Sequence, residues 1–325
     1  MFRRMRILVP LLVVVLVASS CLVNQNAISS SDKLPMDSPS SMVPTLDDVA
    51  YGPLPPHHLD VYRPVVAPVG VIVFFHAGGW CCGDEANVDP LILSTIARGF
   101  VVVSVNYRLA PYSTAEQMMA DGDLAIRWVR QHRVDWGASG RKVIVAGGSA
   151  GGNLALMLAA APARYKDRNL DPALNLVDSR VDGVIAFVGP SDLRPYIDGL
   201  IPPGGLDGRQ LAEDFLDCSN RGRVHVGTGI RMPPCSDQRV LAFSPLFWAT
   251  VAAMFGGTMP PAYLGYGGLD TLVPISSQGI PLHDAWAQTA GSAAVWLDLP
   301  PAAGHNLTHD LNATAFYLWL RRFES

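Results

Sequence analysis

The segment Lys142-Val143-Ile144-Val145-Ala146-Gly147-Gly148-Ser149-Ala150-Gly151-Gly152-Asn153 passes from an apolar run, through a glycine-rich corner, into good helix formers that extend to Ala161. An apolar run bounded in this way reads as a buried strand, and the run after the corner reads as a helix. A serine at such a corner is a candidate nucleophile. The sharp turn holds it in a strained conformation, glycines two residues before and after it let backbone pass without side-chain clash, and its hydroxyl projects beside the positive end of the helix. Three fixed positions of this kind arise by chance in roughly one chain in ten of this length. The flanking strand and helix therefore carry the assignment more than the motif does.

The same alternation runs outward in both directions. Strands are predicted at Val69 to Phe75, Phe100 to Val105, Val181 to Val188, Ala262 to Tyr266 and Ala293 to Leu299. Helices are predicted at Pro90 to Arg98, Ala120 to Gln131, Ile280 to Ala290 and Leu311 to Arg322. Strands separated by helices imply a doubly wound α/β fold with a mostly parallel sheet. Between Asp192 and Val240 the pattern gives way to proline, glycine and charge around a short helix at Arg209 to Leu216. Long insertions at the carboxyl ends of strands commonly cover sites, so a small cap is expected at about 192–240.

A chain of 325 residues, 49% hydrophobic and 16% charged, can bury one large α/β domain. Its formal net charge of -4 offers no basic field to a nucleic acid, and no lysine or arginine stripe follows any predicted helix. At the N-terminus Arg3, Arg4 and Arg6 precede an apolar stretch from Ile7 to Ala18 that ends in Ser19, Ser20 and Cys21. This pattern predicts a signal peptide over 1–20 rather than a membrane span. Ala18-Ser19-Ser20-Cys21 is similar to a bacterial lipoprotein box, so Cys21 is a candidate for lipidation and membrane attachment, with simple secretion and then an uncleaved anchor as the alternatives. Residues 21–46, rich in serine and proline, read as a flexible tether, and the folded domain is expected over 47–325.

Export changes how the remaining cysteines are read. Cys218 and Cys235 lie in the insertion and could pair in an oxidising compartment, or stay as thiols. Cys81 and Cys82 are adjacent and lack a second pair at ligand spacing, which argues against a metal centre. They read as small apolar packing residues, with a strained vicinal disulfide as the alternative.

His76-Ala77-Gly78-Gly79-Trp80 directly follows the most hydrophobic strand. Glycines there let the main chain aim N–H groups at a developing oxyanion, so the N–H groups of Gly78, Gly79 and Ala150 are candidate donors. His76 precedes the serine in the chain and reads as a residue that pins this loop rather than as a base. Trp80 and Tyr112 are candidate pocket residues. Tyr107 and Arg108 read as loop braces, and Asp121 as a surface carboxylate.

His76 to Trp80, Asn106-Tyr107-Arg108-Leu109-Ala110-Pro111 and Gly147 to Gly152 with Asn153-Leu154-Ala155 resemble the α/β-hydrolase esterases of the hormone-sensitive-lipase type. Asp60-Val61-Tyr62-Arg63-Pro64 also resembles the opening strand of the related branch that holds feruloyl-esterase-like and kynurenine-formamidase-like enzymes. The likeness runs from about Asp60 to the C-terminus. Ala77 replaces the first glycine of the usual HGGG loop, and Gly148 replaces the acidic residue or histidine often found before the serine. Neither change removes a catalytic side chain, and both branches stay open.

In this fold the expected chain order is serine, acid, histidine. Of the eight histidines, His305 follows the last strand on a glycine turn and matches the family's catalytic histidine, with His309 as runner-up. Asp270, just past the strand Ala262 to Tyr266, is the candidate acid, with Asp192 as the alternative. The resemblance implies a serine carboxylesterase acting on a small ester through an acyl-enzyme. An arylformamide hydrolase and a silent binding homologue are the alternatives. No metal or organic cofactor is implied.

Overall fold

Three runs of six residues, Gly70–Phe75, Phe100–Val105 and Val143–Gly148, form the middle of the sheet. Valine, isoleucine and phenylalanine occupy both faces of the first two, and almost every residue of all three is buried, as expected of parallel strands covered by helices on both sides. The computed structural model describes residues 42–201, 207–226, 228–307 and 309–324. The leader, Cys21 and most of the tether lie outside the described residues.

In chain order the elements are β1 (Leu46–Ala50), β2 (His58–Tyr62), β3 (Gly70–Phe75), α1 (Pro90–Ser94), β4 (Phe100–Val105), α2 (Ala115–His132), β5 (Val143–Gly148), α3 (Ala150–Ala160), β6 (Gly183–Phe187), α4 (Arg194–Ile197), α5 (Gly208–Leu216), α6 (Asp237–Ala242), α7 (Pro245–Phe255), β7 (Ala262–Gly265), α8 (Gly279–Ala290), β8 (Val295–Asp298) and α9 (Ala313–Leu320). The eight strands lie in the order β1-β2-β4-β3-β5-β6-β7-β8. Pairing is antiparallel from β1 through β2 to β4 and parallel elsewhere. This is the α/β-hydrolase fold, a mostly parallel sheet flanked by helices.

Besides the short elements β1, α4 and α6, which the sequence pattern does not mark, two longer helices depart from it. Helix α2 starts at Ala115 rather than Ala120, because Thr114 and Gln117 close a reciprocal capping box ahead of the apolar stripe. Helix α7 has no counterpart among the predicted helices: Pro245–Phe255 is apolar almost throughout, so it shows no 3.6-residue alternation to read.

The corner between β5 and α3 is packed without slack. A Cβ on Gly151 would lie 2.0 Å from the Phe75 carbonyl oxygen, so the first turn of α3 sits directly on the end of β3. Only glycine permits that approach.

Asp121 is not a surface carboxylate. It is fully buried in α2, where its Oδ1 accepts from His57 Nε2 at 2.9 Å and its Oδ2 from the Arg108 backbone N–H at 2.9 Å. The Arg108 guanidinium adds contacts at 2.6 and 2.8 Å. His57 Nδ1 accepts from the Leu54 N–H, so Nε2 carries the ring proton and donates to the carboxylate. One buried acid thus ties the segment before β2 to the loop after β4. Asp121→Ala should lower the unfolding free energy by about 3–5 kcal/mol, since it strands buried partners. Urea midpoints of the two proteins check this.

Candidate active site

Ser149 sits between β5 and α3 with φ 51° and ψ -118°, a conformation that costs a non-glycine residue about 1–3 kcal/mol and persists only where its surroundings enforce it. Here they do. The Ser149 N–H donates to Phe187 O at 2.8 Å, which ties the turn to β6, and the Asn153 N–H donates to Ser149 O at 3.0 Å. Asn153 is buried and its side-chain amide holds Pro190 O and Phe243 O, anchoring α3 to the loop after β6.

The structure brings Ser149, His305 and Asp270 together at the carboxyl edge of the sheet. His305 Nε2 lies 3.0 Å from Ser149 Oγ, and His305 Nδ1 lies 2.8 Å from Asp270 Oδ2. The other Asp270 oxygen accepts the N–H groups of Leu272 (2.8 Å) and Val273 (2.9 Å). Burial works to raise this carboxyl. The hydrogen bond from His305 and the two N–H donors outweigh it and hold Asp270 below its ordinary value. The acid therefore stays ionised at neutral pH, Nδ1 carries the imidazole proton, and bare Nε2 accepts from the Ser149 hydroxyl.

The loops carrying acid and base are knitted to each other. Leu269 N–H donates to Ala303 O at 2.8 Å, Gly268 N–H to Pro300 O at 3.0 Å, and a Cβ on Gly267 would fall 2.4 Å from Gly304 O. Tyr196 supports the same loop by donating from its hydroxyl to Leu272 O at 2.9 Å.

The alternatives are placed elsewhere. Asp192 is engaged by Arg194 at 2.5 Å, and His309 is exposed.

Gly79 and Trp80 both have φ 61°, and Gly78 has φ 127°. The loop is pinned where Gly78 O accepts the N–H groups of Cys81 and Cys82 and Trp80 O accepts that of Ala110. Among the described residues, the N–H groups of Gly78, Gly79 and Ala150 have no backbone acceptor. Gly79 shares a pocket wall with Ser149, while Gly78 lies against the Cys82 carbonyl. Behind the loop, His76 is wholly buried, stacks on Tyr107 at 4.4 Å and donates from Nδ1 to Ala77 O at 2.8 Å. Burial lowers its basicity, in keeping with a neutral, loop-holding ring.

Trp80 lines the pocket and stacks on Phe215 of α5 at 4.6 Å. Tyr112 does not line it and is 70% exposed. The insertion does cover the site: Gly208 and Leu211 of α5 form part of the pocket wall. Cys218 and Cys235 are bonded to each other just beyond that helix, whereas Cys81 and Cys82 are not joined as a pair. Sequence reasoning missed Leu211, Leu272 and Val273 as lining residues, since an aliphatic side chain bears no mark of the cavity it faces.

Residues 59–200 match the family model BD-FAE. The chain is 26% identical over 259 residues to the probable carboxylic ester hydrolase LipM of Mycobacterium tuberculosis, covering 78% of this chain and 54% of LipM. It is 32% identical over 263 residues to esterase LipC of the same organism, covering 79% of this chain and 58% of LipC. The chain thus spans little more than half the length of these relatives.

Among solved structures, a truncated carbohydrate esterase from gut microbiota superposes with a TM-score of 0.65 at 18% identity, over 90% of this chain and 99% of that one. Thermogutta terrifontis esterase 2 phosphonylated by sarin gives 0.59 at 23% identity, over 85% and 89%. With a serine, an imidazole and a carboxylate in line on this sheet, the chain has the α/β-hydrolase fold, and its residues 59–200 are similar to the BD-FAE family.

Proposed function

We propose that the protein is a serine carboxylesterase that hydrolyses small to medium acyl esters through an acyl-enzyme. One observation carries the reading: the Ser149 hydroxyl, His305 and the Asp270 carboxylate form an unbroken hydrogen-bonded line beside a pocket. The esterase names of LipM and LipC support it.

Ser149 Oγ attacks the ester carbonyl carbon while His305 Nε2 takes its proton. The carbonyl oxygen becomes an oxyanion facing the N–H groups of Gly79 and Ala150, with Gly78 behind them. One such donor typically contributes about 3–4 kcal/mol to the transition state. Collapse breaks the bond to the alkoxide oxygen, which leaves as the alcohol with the proton from Nε2. Water then attacks the acyl-enzyme, giving a proton to the same nitrogen. The second collapse returns that proton to Ser149 and frees the acid. Asp270 stays ionised throughout and stabilises the imidazolium.

The same proposal places the protein outside the cytoplasm, led there by residues 1–20 and either lipidated on Cys21 or secreted. A bonded Cys218–Cys235 pair suits an oxidising compartment. Mass spectrometry of the mature N-terminus is expected to find a diacylated Cys21 if the chain is an envelope lipoprotein; an unmodified terminus beyond Cys21 would exclude lipidation.

Ser149→Ala should reduce kcat on 4-nitrophenyl esters roughly a million-fold with the melting temperature retained, and near wild-type turnover would refute the assignment. Asp270→Asn should cost about 10⁴ in kcat, because an amide at this position favours the wrong imidazole tautomer. N-formylkynurenine assayed beside the esters separates the formamidase branch: faster turnover of the formamide would replace the ester reading.

A further inference from the structure

We infer that the walled pocket beside Ser149 holds the acyl group, that Leu211 limits its length, and that the alcohol side is open, so the fitting substrates are short apolar acyl esters of alcohols of varied bulk. This rests on the esterase reading above.

The direction is set by the proton. A departing alcohol must receive it from His305 Nε2, so the alcohol oxygen faces that ring. His305 is not among the residues lining the pocket, and its side chain is partly exposed. The group held within the walls is therefore the acyl part, and the alcohol extends past the imidazole toward solvent.

The chemistry is set by the walls. Leu211, Leu272 and Val273 are apolar, the Trp80 ring adds an aromatic face with one unpartnered indole N–H, and the Tyr196 hydroxyl is already committed to Leu272 O. Among the described residues no lysine, arginine or histidine lines the pocket, so an ionised acyl group would be buried without a partner. The space beside Ser149 reaches about 340 Å³ only when open solvent at its mouth is counted, so its enclosed part is small.

The limit is set by α5. A Cβ on Gly79 would come within 2.9 Å of Leu211 Cδ1, so this side chain rests on the loop that faces the oxyanion. A Cβ on Gly208 would come within 3.1 Å of Leu272 Cδ1 and of the Tyr196 ring, so the start of the helix is wedged against the acid loop. The other end is fastened by the Cys218–Cys235 bond and by the Arg239 guanidinium, which donates to Leu216 O. Glu213, wholly buried, is held by Arg221 at 2.9 Å. Leu211 is accordingly a fixed stop.

Two ester series test the inference on the purified protein. One lengthens the acyl chain from acetate to octanoate on 4-nitrophenol; the other lengthens the alcohol from ethyl to decyl on acetate. For the wild type, kcat/KM should fall at least about tenfold from butyrate to octanoate, the scale of discrimination a hydrophobic wall supplies, and change less along the alcohol series. Leu211→Ala should shrink the butyrate-to-octanoate ratio about tenfold without reshaping the alcohol profile. Leu211→Phe should move the cutoff toward acetate, and it keeps the test alive if the smaller side chain impairs folding. An active wild type whose acyl profile is unchanged in both folded variants, or whose selectivity lies in the alcohol series, overturns the inference alone. A wild type that hydrolyses neither series and takes up no fluorophosphonate on Ser149 removes the esterase reading, and the inference with it.

Discussion

The site depends on one backbone constraint: Ser149 must stay at a positive φ that its own side chain disfavours. Within its own helix one bond helps, from the Asn153 N–H to Ser149 O. The rest of the restraint comes from β6, which receives the Ser149 N–H, and from the absence of a side chain at Gly151, which lets α3 press against the end of β3. Because β3 and β6 flank β5 on opposite sides, the sheet itself acts as the clamp. The strain is stored where the reactive hydroxyl leaves the fold, and the large buried core around the central strands bears it.

A second arrangement serves the other half of the site. Acid and base arrive on separate loops, after β7 and after β8, yet main-chain hydrogen bonds between those loops make them one unit. Asp270 is thereby held from both sides, by Leu272 and Val273 on its own loop and by His305 on the next. Burial alone would push the carboxyl toward its neutral form. The favourable contacts reverse that, and the reversal fixes which imidazole nitrogen is free to accept a proton.

Much of this is legible in the chain because it tracks strand ends. Ser149, Asp270 and His305 each come soon after an apolar run and sit among glycines, and parallel strands deliver such positions to one edge of a sheet. Trp80 can be read as a pocket residue from its place in the same loop as Gly79. Tyr112 cannot be sorted from it, because chain proximity to a loop does not say which way a ring turns. Asp121 reads as a surface group for a related reason: its partners His57 and Arg108 lie 64 and 13 residues away, so nothing nearby announces its burial. The aliphatic walls and α7 are invisible for lack of pattern. Leucine is the same letter in a core and in a cavity, and a helix apolar on every face has no period.

The far side of the sheet has its own logic. Strand β1 is a border strand with no buried residue, and its register on β2 shifts between Leu46 and Val49. Two aspartates, Asp47 and Asp48, stand inside that shift, Asp48 at φ 54°. A smooth apolar border would present unpaired N–H and carbonyl groups to any passing strand and invite polymerisation. Negative charge and a broken ladder make this border a poor template, so a strongly β-prone sheet can stop growing where the chain enters it.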